Sequence, residues 1–247
     1  MIDNLDFTDL KTLVTSFLLL FLIVFLRYIL LSGAYHWIFF VVYRKMFRDR
    51  VLTTQNPKVD QIRRELLLSV YSALIFSIIG LLLLILWQKG YTKIYSDVFE
   101  YPLWYIPFSI IIFLFVHDAY YYWLHVWMHS SKWLRRFHMH HHKSVNTTVF
   151  TSFSFHPIES VLQALIIPFI FIIVPMSIMA VLVVLSLMTL SAIINHAGVE
   201  VYPIKKGFKG FRKYIIGATH HDHHHRNSKK NLGLYFTFWD RLMKTER

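Results

Sequence analysis

The 247-residue sequence contains no cysteine. That absence removes disulfides, iron–sulfur clusters, thiolate zinc sites and a cysteine nucleophile together. Acidic side chains are scarce beside basic ones, 14 against 26, for a formal net charge of +12. The Lys and Arg sit in short stretches beside apolar segments and form no basic domain of their own. This argues against nucleic acid and for anionic lipid headgroups as the counter-charge. No basic n-region precedes the first apolar run, so Met1 to Lys11 reads as a short tail before a retained span and not as a cleaved signal peptide. No flavin, haem or nicotinamide motif is visible, and no internal repeat.

Apolar residues are what the chain has in excess. They make up 55% of it, with a mean hydropathy of +0.45, above the usual share of a soluble protein. The fold class expected is all-α: one integral membrane domain over residues 1–247, a multi-pass helical bundle with a cytoplasmic histidine-rich helical cap. Transmembrane helices occupy 1–114 in this reading. The first apolar segment runs from Leu13 to Tyr43, interrupted by Arg27, read as snorkelling or pairing, and by His36, read as interfacial. The second, Leu66 to Trp87, is free of charge, and the third runs from Leu103 to Trp127. The fourth, Val161 to Ile194, would be about 51 Å long as one helix, too long for a hydrocarbon core of about 30 Å. A helical hairpin over 161–194 is therefore expected, with Pro168 and Pro175 offering places to break.

Basic residues from Arg44 to Arg64, and again from Lys132 to Lys143, put the loops after spans one and three in the cytoplasm by the positive-inside rule. The hairpin returns the C-terminal part to that side. The stretch Lys205 to Lys213 reads as a solvated basic loop.

Fourteen of the fifteen histidines lie between His117 and His225. Three clusters stand out: His125/His129, His138/His141/His142 and His221/His224/His225. Residues three or four apart share a helix face, so each cluster can aim several imidazoles at one point. Eight imidazoles exceed one ion, and two ions sharing nine or ten ligands fit better, with iron favoured over redox-silent zinc. His196 is the further ligand expected, and His220/His223/His224 offers the same spacing as the third cluster. Residues expected around the metals or lining a pocket are His117, Asp118, His156, Glu159, Asn195, His220, Asp222 and Asp240. His117 is expected to bond Asp118 or to line the pocket, and Glu200 is a further carboxylate partner. Because a ligating imidazole must be neutral, metal loss is expected on acidification toward about pH 6.5.

The series His117-Asp118, Tyr121-Tyr122-Trp123-Leu124-His125 to His129, Phe137-His138-Met139-His140-His141-His142, Phe155-His156-Pro157-Ile158-Glu159, Asn195-His196-Ala197-Gly198, His220 to His225, Asn231-Leu232-Gly233 and Trp239-Asp240-Arg241-Leu242 resembles the fatty acid hydroxylase/sterol desaturase superfamily. The resemblance implies a catalytic region over 115–242 and a membrane-bound, non-haem di-iron oxygenase. Such an enzyme would hydroxylate or desaturate a sterol or fatty acyl lipid with O2 as co-substrate. It implies two Fe ions, with Zn as a substitute in purified protein, held by His125, His129, His138, His141, His142, His221, His224, His225 and His196. The family register favours His221 over His220.

Electrons would come from a separate ferredoxin or cytochrome b5-like protein with its reductase. That carrier could dock on the cations Lys132, Arg135, Arg136, Lys205, Lys206 and Lys209. Aromatics such as Tyr121, Trp123, Phe153 and Phe155 could exclude water and shape the lipid pocket. A bacterial inner membrane or an endoplasmic reticulum membrane would suit the chain. The rival readings are a membrane metal transporter and a zinc-dependent membrane hydrolase. The first is disfavoured by the lack of ionisable residues within Leu66–Trp87 and Val161–Ile194.

Overall fold

The computed structural model of the chain describes residues 5–53, 56–203 and 209–247, without the side chains of 209 and 211. The first helix, α1 (Leu10–His36), starts where the Asp9 carboxylate accepts the Thr12 backbone N–H, one of the donors a helix end cannot satisfy itself. It continues directly into a π-helical segment, Trp37–Val42. A short helix α2 (Arg44–Phe47) and a 3-10 turn at Arg48–Arg50 precede α3 (Val59–Gln88). After α4 (Tyr105–Ser130), the last long apolar stretch forms two helices, α6 (Pro157–Ile173) and α7 (Ile178–His196). The break falls at Pro175, because the residue before a proline is steered out of helical geometry and Val174 is extended. Pro168 stays inside α6, so it is not a break.

Among the described residues, four segments are long and apolar enough to cross a membrane: Leu10–Val42, Val59–Gln88, Tyr105–Ser130 and Ile178–His196. The shorter α6 is apolar as well. At one end of the bundle, β1 (Ile94–Tyr95) pairs in parallel with β2 (Met176–Ser177), which ties the α6–α7 connection to the α3–α4 connection. The other ends of α6 and α7 carry Glu159 and His196, both in the histidine-rich layer.

The bundle is apolar outside and partly polar inside, the arrangement a lipid solvent selects. Leu18, Ile23, Leu30, Ile111 and Leu182 face outward, while Ser32, Ser69, Ser72, Ser77 and Ser109 are buried between helices. Small residues let helices approach closely, and their hydroxyls pair across the contact. Tyr28 Oη lies 3.0 Å from Ser69 Oγ, and the Ser72 and Ser160 hydroxyls are 2.9 Å apart. Phe113 of α4 stacks on Phe171 of α6 at 5.4 Å in the apolar core. Arg27 does not pair: among the described residues its buried Nε has no partner.

A fully buried carboxylate fastens the histidine layer to this bundle. Glu65 of α3 accepts from Thr148 Oγ1 (2.7 Å), Thr151 Oγ1 (3.0 Å) and Gln61 Nε2 (2.8 Å). The two threonines belong to a capping box around the 3-10 turn Val149–Phe153. The layer itself contains α5 (Lys132–His142), α8 (Lys209–Tyr214), α9 (Ala218–Arg226) and α10 (Phe238–Leu242). α5 is amphipathic in an unusual sense, burying Leu134, His138, His141 and His142 and exposing Lys132, Arg135 and Arg136. The basic stretch expected as a loop is helical from Lys209 onward, and Lys205, Lys206 and Gly207 lie outside the described residues.

Candidate metal centre

Helix geometry sorts nine imidazoles into two adjacent groups. His125, His129, His138, His142 and His224 form one, and His141, His196, His221 and His225 form the other, with candidate ligand atoms inside each group within 4.8 Å of one another. At about 100° per residue, positions i and i+4 differ by about 40°, whereas i+3 lies about 60° to the other side of i. The pairs His125/His129, His138/His142 and His221/His225 accordingly stay together, while His141 and His224 turn to the neighbouring group. α5 and α9 thus each serve both groups, so each triple is divided between two points and does not converge on one. α4 serves only the first group and α7, through His196, only the second.

The ring protons show why a cation suits each group. His125 Nδ1 faces the Leu232 carbonyl at 2.8 Å, His224 Nδ1 the Lys230 carbonyl at 2.8 Å, and His138 Nδ1 the Glu159 carboxylate at 2.8 Å. These oxygens only accept, so each Nδ1 carries the hydrogen and each Nε2 is a bare lone pair. Yet His125 Nε2 and His138 Nε2 are 3.1 Å apart. In the second group His141 Nδ1 donates to the Ser154 carbonyl and His196 Nδ1 to the Ala192 carbonyl, and their Nε2 atoms are 3.1 Å apart. Facing lone pairs at that distance repel unless a positive ion lies between them. The residues therefore fit a pair of imidazole-bound transition ions, with oriented outer acceptors of the kind metal-bound histidines require.

Burial keeps these rings neutral, as ligation needs. It holds His141, His221 and His225 far below the ordinary imidazole range, with neighbouring imidazoles adding to the effect. His142 moves the same way, and burial pulls His224 down to about 3.

Of the carboxylates considered as partners for the rings, Glu159 contacts one of the nine directly. Asp222 instead pairs with Arg226 at 2.9 Å, and Glu200 accepts from Thr219 and lies 3.6 Å from Arg212. Asp240 accepts the Leu232 and Gly233 N–H groups, and Asp118 accepts the Tyr235 N–H at 2.7 Å. Both carboxylates therefore shape the loop whose Leu232 carbonyl holds His125. Asn195 serves the same loop, donating to the Leu234 carbonyl. His117 bonds Tyr235 Oη at 2.9 Å and not Asp118. His156 caps α6 by accepting the Ile158 N–H, and His220 lies 3.7 Å from Asp240, outside both groups.

The carbonyls of Ser154, Ala192, Lys230 and Leu232 were not foreseeable from side-chain chemistry. Asn231-Leu232-Gly233 was their one trace. A Cβ at Gly233 would sit 2.7 Å from Ile216 Cδ1 and 2.8 Å from the Phe236 carbonyl, so the loop closes only around glycine.

The fatty acid hydroxylase family profile matches residues 110–245, which include all nine imidazoles. Lathosterol oxidase of Homo sapiens is 34% identical over 218 residues, covering 85% of this chain and 70% of the human protein. The lathosterol oxidase of Rattus norvegicus is 34% identical over 74% of this chain, and the match spans 60% of the rat protein. A Delta(7)-sterol 5(6)-desaturase of Gibberella zeae is 30% identical over 79% of this chain and 54% of its own length. No solved structure matches. The chain belongs to the fatty acid hydroxylase/sterol desaturase superfamily, O2-dependent oxidoreductases of membrane lipids.

Proposed function

We propose that the chain is a di-iron lipid oxidase, with His125, His129, His138, His142 and His224 holding one ion and His141, His196, His221 and His225 the other. The observation that carries this reading is the set of bare Nε2 atoms facing one another inside two groups. Bound iron, with O2 and external electrons, supplies an oxidant strong enough for an unactivated C–H bond, which no acid or base of the chain can attack. A nine-nitrogen set exceeds what a catalytic zinc uses, because such sites usually keep three protein ligands and an open position.

The chain's own residues do the rest. Glu159 and the four backbone carbonyls fix the ring orientations, so the site needs little rearrangement when it binds a cation. Tyr121, buried beside His125 at 5.3 Å, and Phe155, buried beside His141 at 5.0 Å, keep water from the rings. Phe153 packs on Tyr28 at 4.7 Å, one layer further out, and Trp123 is exposed. The two groups sit at the ends of α4 and α7, where a membrane lipid reaches them without leaving the bilayer. Electrons come from a separate acidic carrier with its reductase, docked on the exposed face of α5 at Lys132, Arg135 and Arg136. That face is cytoplasmic by the distribution of basic residues.

The similarity to sterol oxidases makes a Δ7-sterol the first substrate to test. Purified protein in lipid nanodiscs, supplied with a reductase and carrier, is expected to consume O2 and introduce a 5(6) double bond into a Δ7-sterol. Oxidation of a fatty acyl chain under the same conditions, with the sterol untouched, would keep the enzyme class and change the substrate. No lipid oxidation by iron-replete protein would overturn the reading.

A further inference from the structure

A second site lies next to the second histidine group along the chain, since Ala197, which follows His196, lines it. The π-helical end of α1, the Arg48–Arg50 turn and the backbone at Thr147 to Val149 enclose a cavity of about 550 Å³. That size lies within the range of small-molecule sites, about 300–1,000 Å³. Two aromatic rings, Phe39 and Phe40, line the cavity, as does Ala197, the residue after His196. Arg44, Arg48 and His36 also line it.

Four observations determine what it would hold. Among the described residues the Arg44 and Arg48 side chains have no ion pair and no hydrogen bond, although both line one cavity. They directly follow the apolar run Leu10–Val42, so they sit where lipid headgroups meet water. The remaining surface mixes apolar rings with small donors, Thr53, Asn56 and Thr147, the composition of a pocket for an amphiphile and not for a free metal ion. The Trp37–Val42 segment is wound as a π-helix, a geometry found frequently at functional sites.

We propose that this cavity binds the phosphate headgroup of an anionic membrane phospholipid, paired with Arg44 and Arg48, while the upper acyl chain packs on Phe39 and Phe40. The guanidinium fork suits a phosphate through two parallel hydrogen bonds. The occupant is a bound lipid beside the centre and is distinct from the lipid that is oxidised, so the proposal stands whatever the substrate proves to be. Its wall is continuous with His196. Gly198 packs closely on two of the lining residues, since a Cβ there would meet Thr53 Cγ2 at 2.7 Å and the Thr147 carbonyl at 3.2 Å.

Native mass spectrometry of the full chain released from nanodiscs of phosphatidylcholine with one-fifth phosphatidylglycerol tests this. The protein is expected to retain one phosphatidylglycerol, and the double variant Arg44→Gln/Arg48→Gln to retain it at least ten-fold less. The double variant Lys132→Gln/Arg136→Gln removes the same charge elsewhere and is expected to retain it fully. Val51→Trp, which fills the cavity without changing charge, is expected to lower retention as well. Inorganic phosphate at millimolar concentration is expected not to displace the lipid. Equal loss in both charge variants would reduce the effect to general surface attraction and overturn the proposal. Undiminished retention by Arg44→Gln/Arg48→Gln, or full displacement by inorganic phosphate, would overturn it too.

Discussion

His138 shows how much of the centre depends on one hydrogen. Its Nδ1–H is held by Glu159, whose own contacts include Gln163 Nε2 at 3.0 Å. Partners of this kind raise ligand basicity and fix the ring, and losing one typically costs about 10–100-fold in metal affinity or activity. Glu159→Ala is expected to lower the affinity of the first group for iron by about that factor, with Glu159→Gln milder because its amide oxygen still accepts. Metal titration of both variants checks this, and equal affinities in wild type and Glu159→Ala would remove Glu159 from the role.

Acid sensitivity is also a residue property. In the unfolded chain the imidazoles take up protons near pH 6.5, whereas folded His224 resists until about pH 3 and His141, His221 and His225 are lowered as well. Between those limits the unfolded state binds more protons, so stability is complete above about pH 6.5 and falls as pH drops toward about 3. The expectation from ordinary imidazole, metal loss near pH 6.5, moves down accordingly. Thermal unfolding of metal-free protein from pH 8 to 4 should show a melting temperature flat at the alkaline end and decreasing below about 6.5. A rise on acidification would contradict the burial of these rings.

At the scale of elements, the Val149–Phe153 turn links membrane helix to metal centre. One end is fastened to Glu65 of α3, and just beyond the other the Ser154 carbonyl holds His141. Glu65→Ala would leave the Thr148 and Thr151 hydroxyls without their acceptor, at a cost of about 1–3 kcal/mol for each group left unpaired, while Gln61 Nε2 keeps the Asn146 carbonyl. It is expected to lower the melting temperature and to weaken iron binding in the second group before the first. Glu65→Gln should recover most of both. A stable Glu65→Ala variant with both groups fully loaded would show that the turn holds itself.

The histidines were legible because i, i+3 and i+4 spacing survives any tertiary arrangement, and the spans because lipid demands about 20 apolar residues. The division of each triple between two groups was latent in the same 100° step. The partners of the rings were not legible. Four are main-chain carbonyls that carry no sequence signal, and Asp118 and Asp240 act on a loop more than a hundred residues from Asp118. Glu65 was hidden for a related reason: one acidic residue near the start of an apolar helix reads as a boundary, and only its contacts with Thr148 and Thr151 show it buried.

Across the described residues, four helices long and apolar enough to cross a membrane, together with the shorter α6, bring distant segments to one end of the bundle. Positions as far apart as His125 and His225 thereby meet in one layer. The outside is apolar and the histidine layer is held by buried polar contacts, so the spans and the layer rest on different interactions. Loss of metal is expected to loosen the layer and leave the spans intact. The most direct test is the iron content of protein purified without oxygen from iron-supplied cells, measured together with X-ray absorption at the iron edge. Two irons per chain with nitrogen-dominated coordination are predicted, and His196→Ala should keep close to one. A fully active protein containing a single ion, or no iron, would contradict the account.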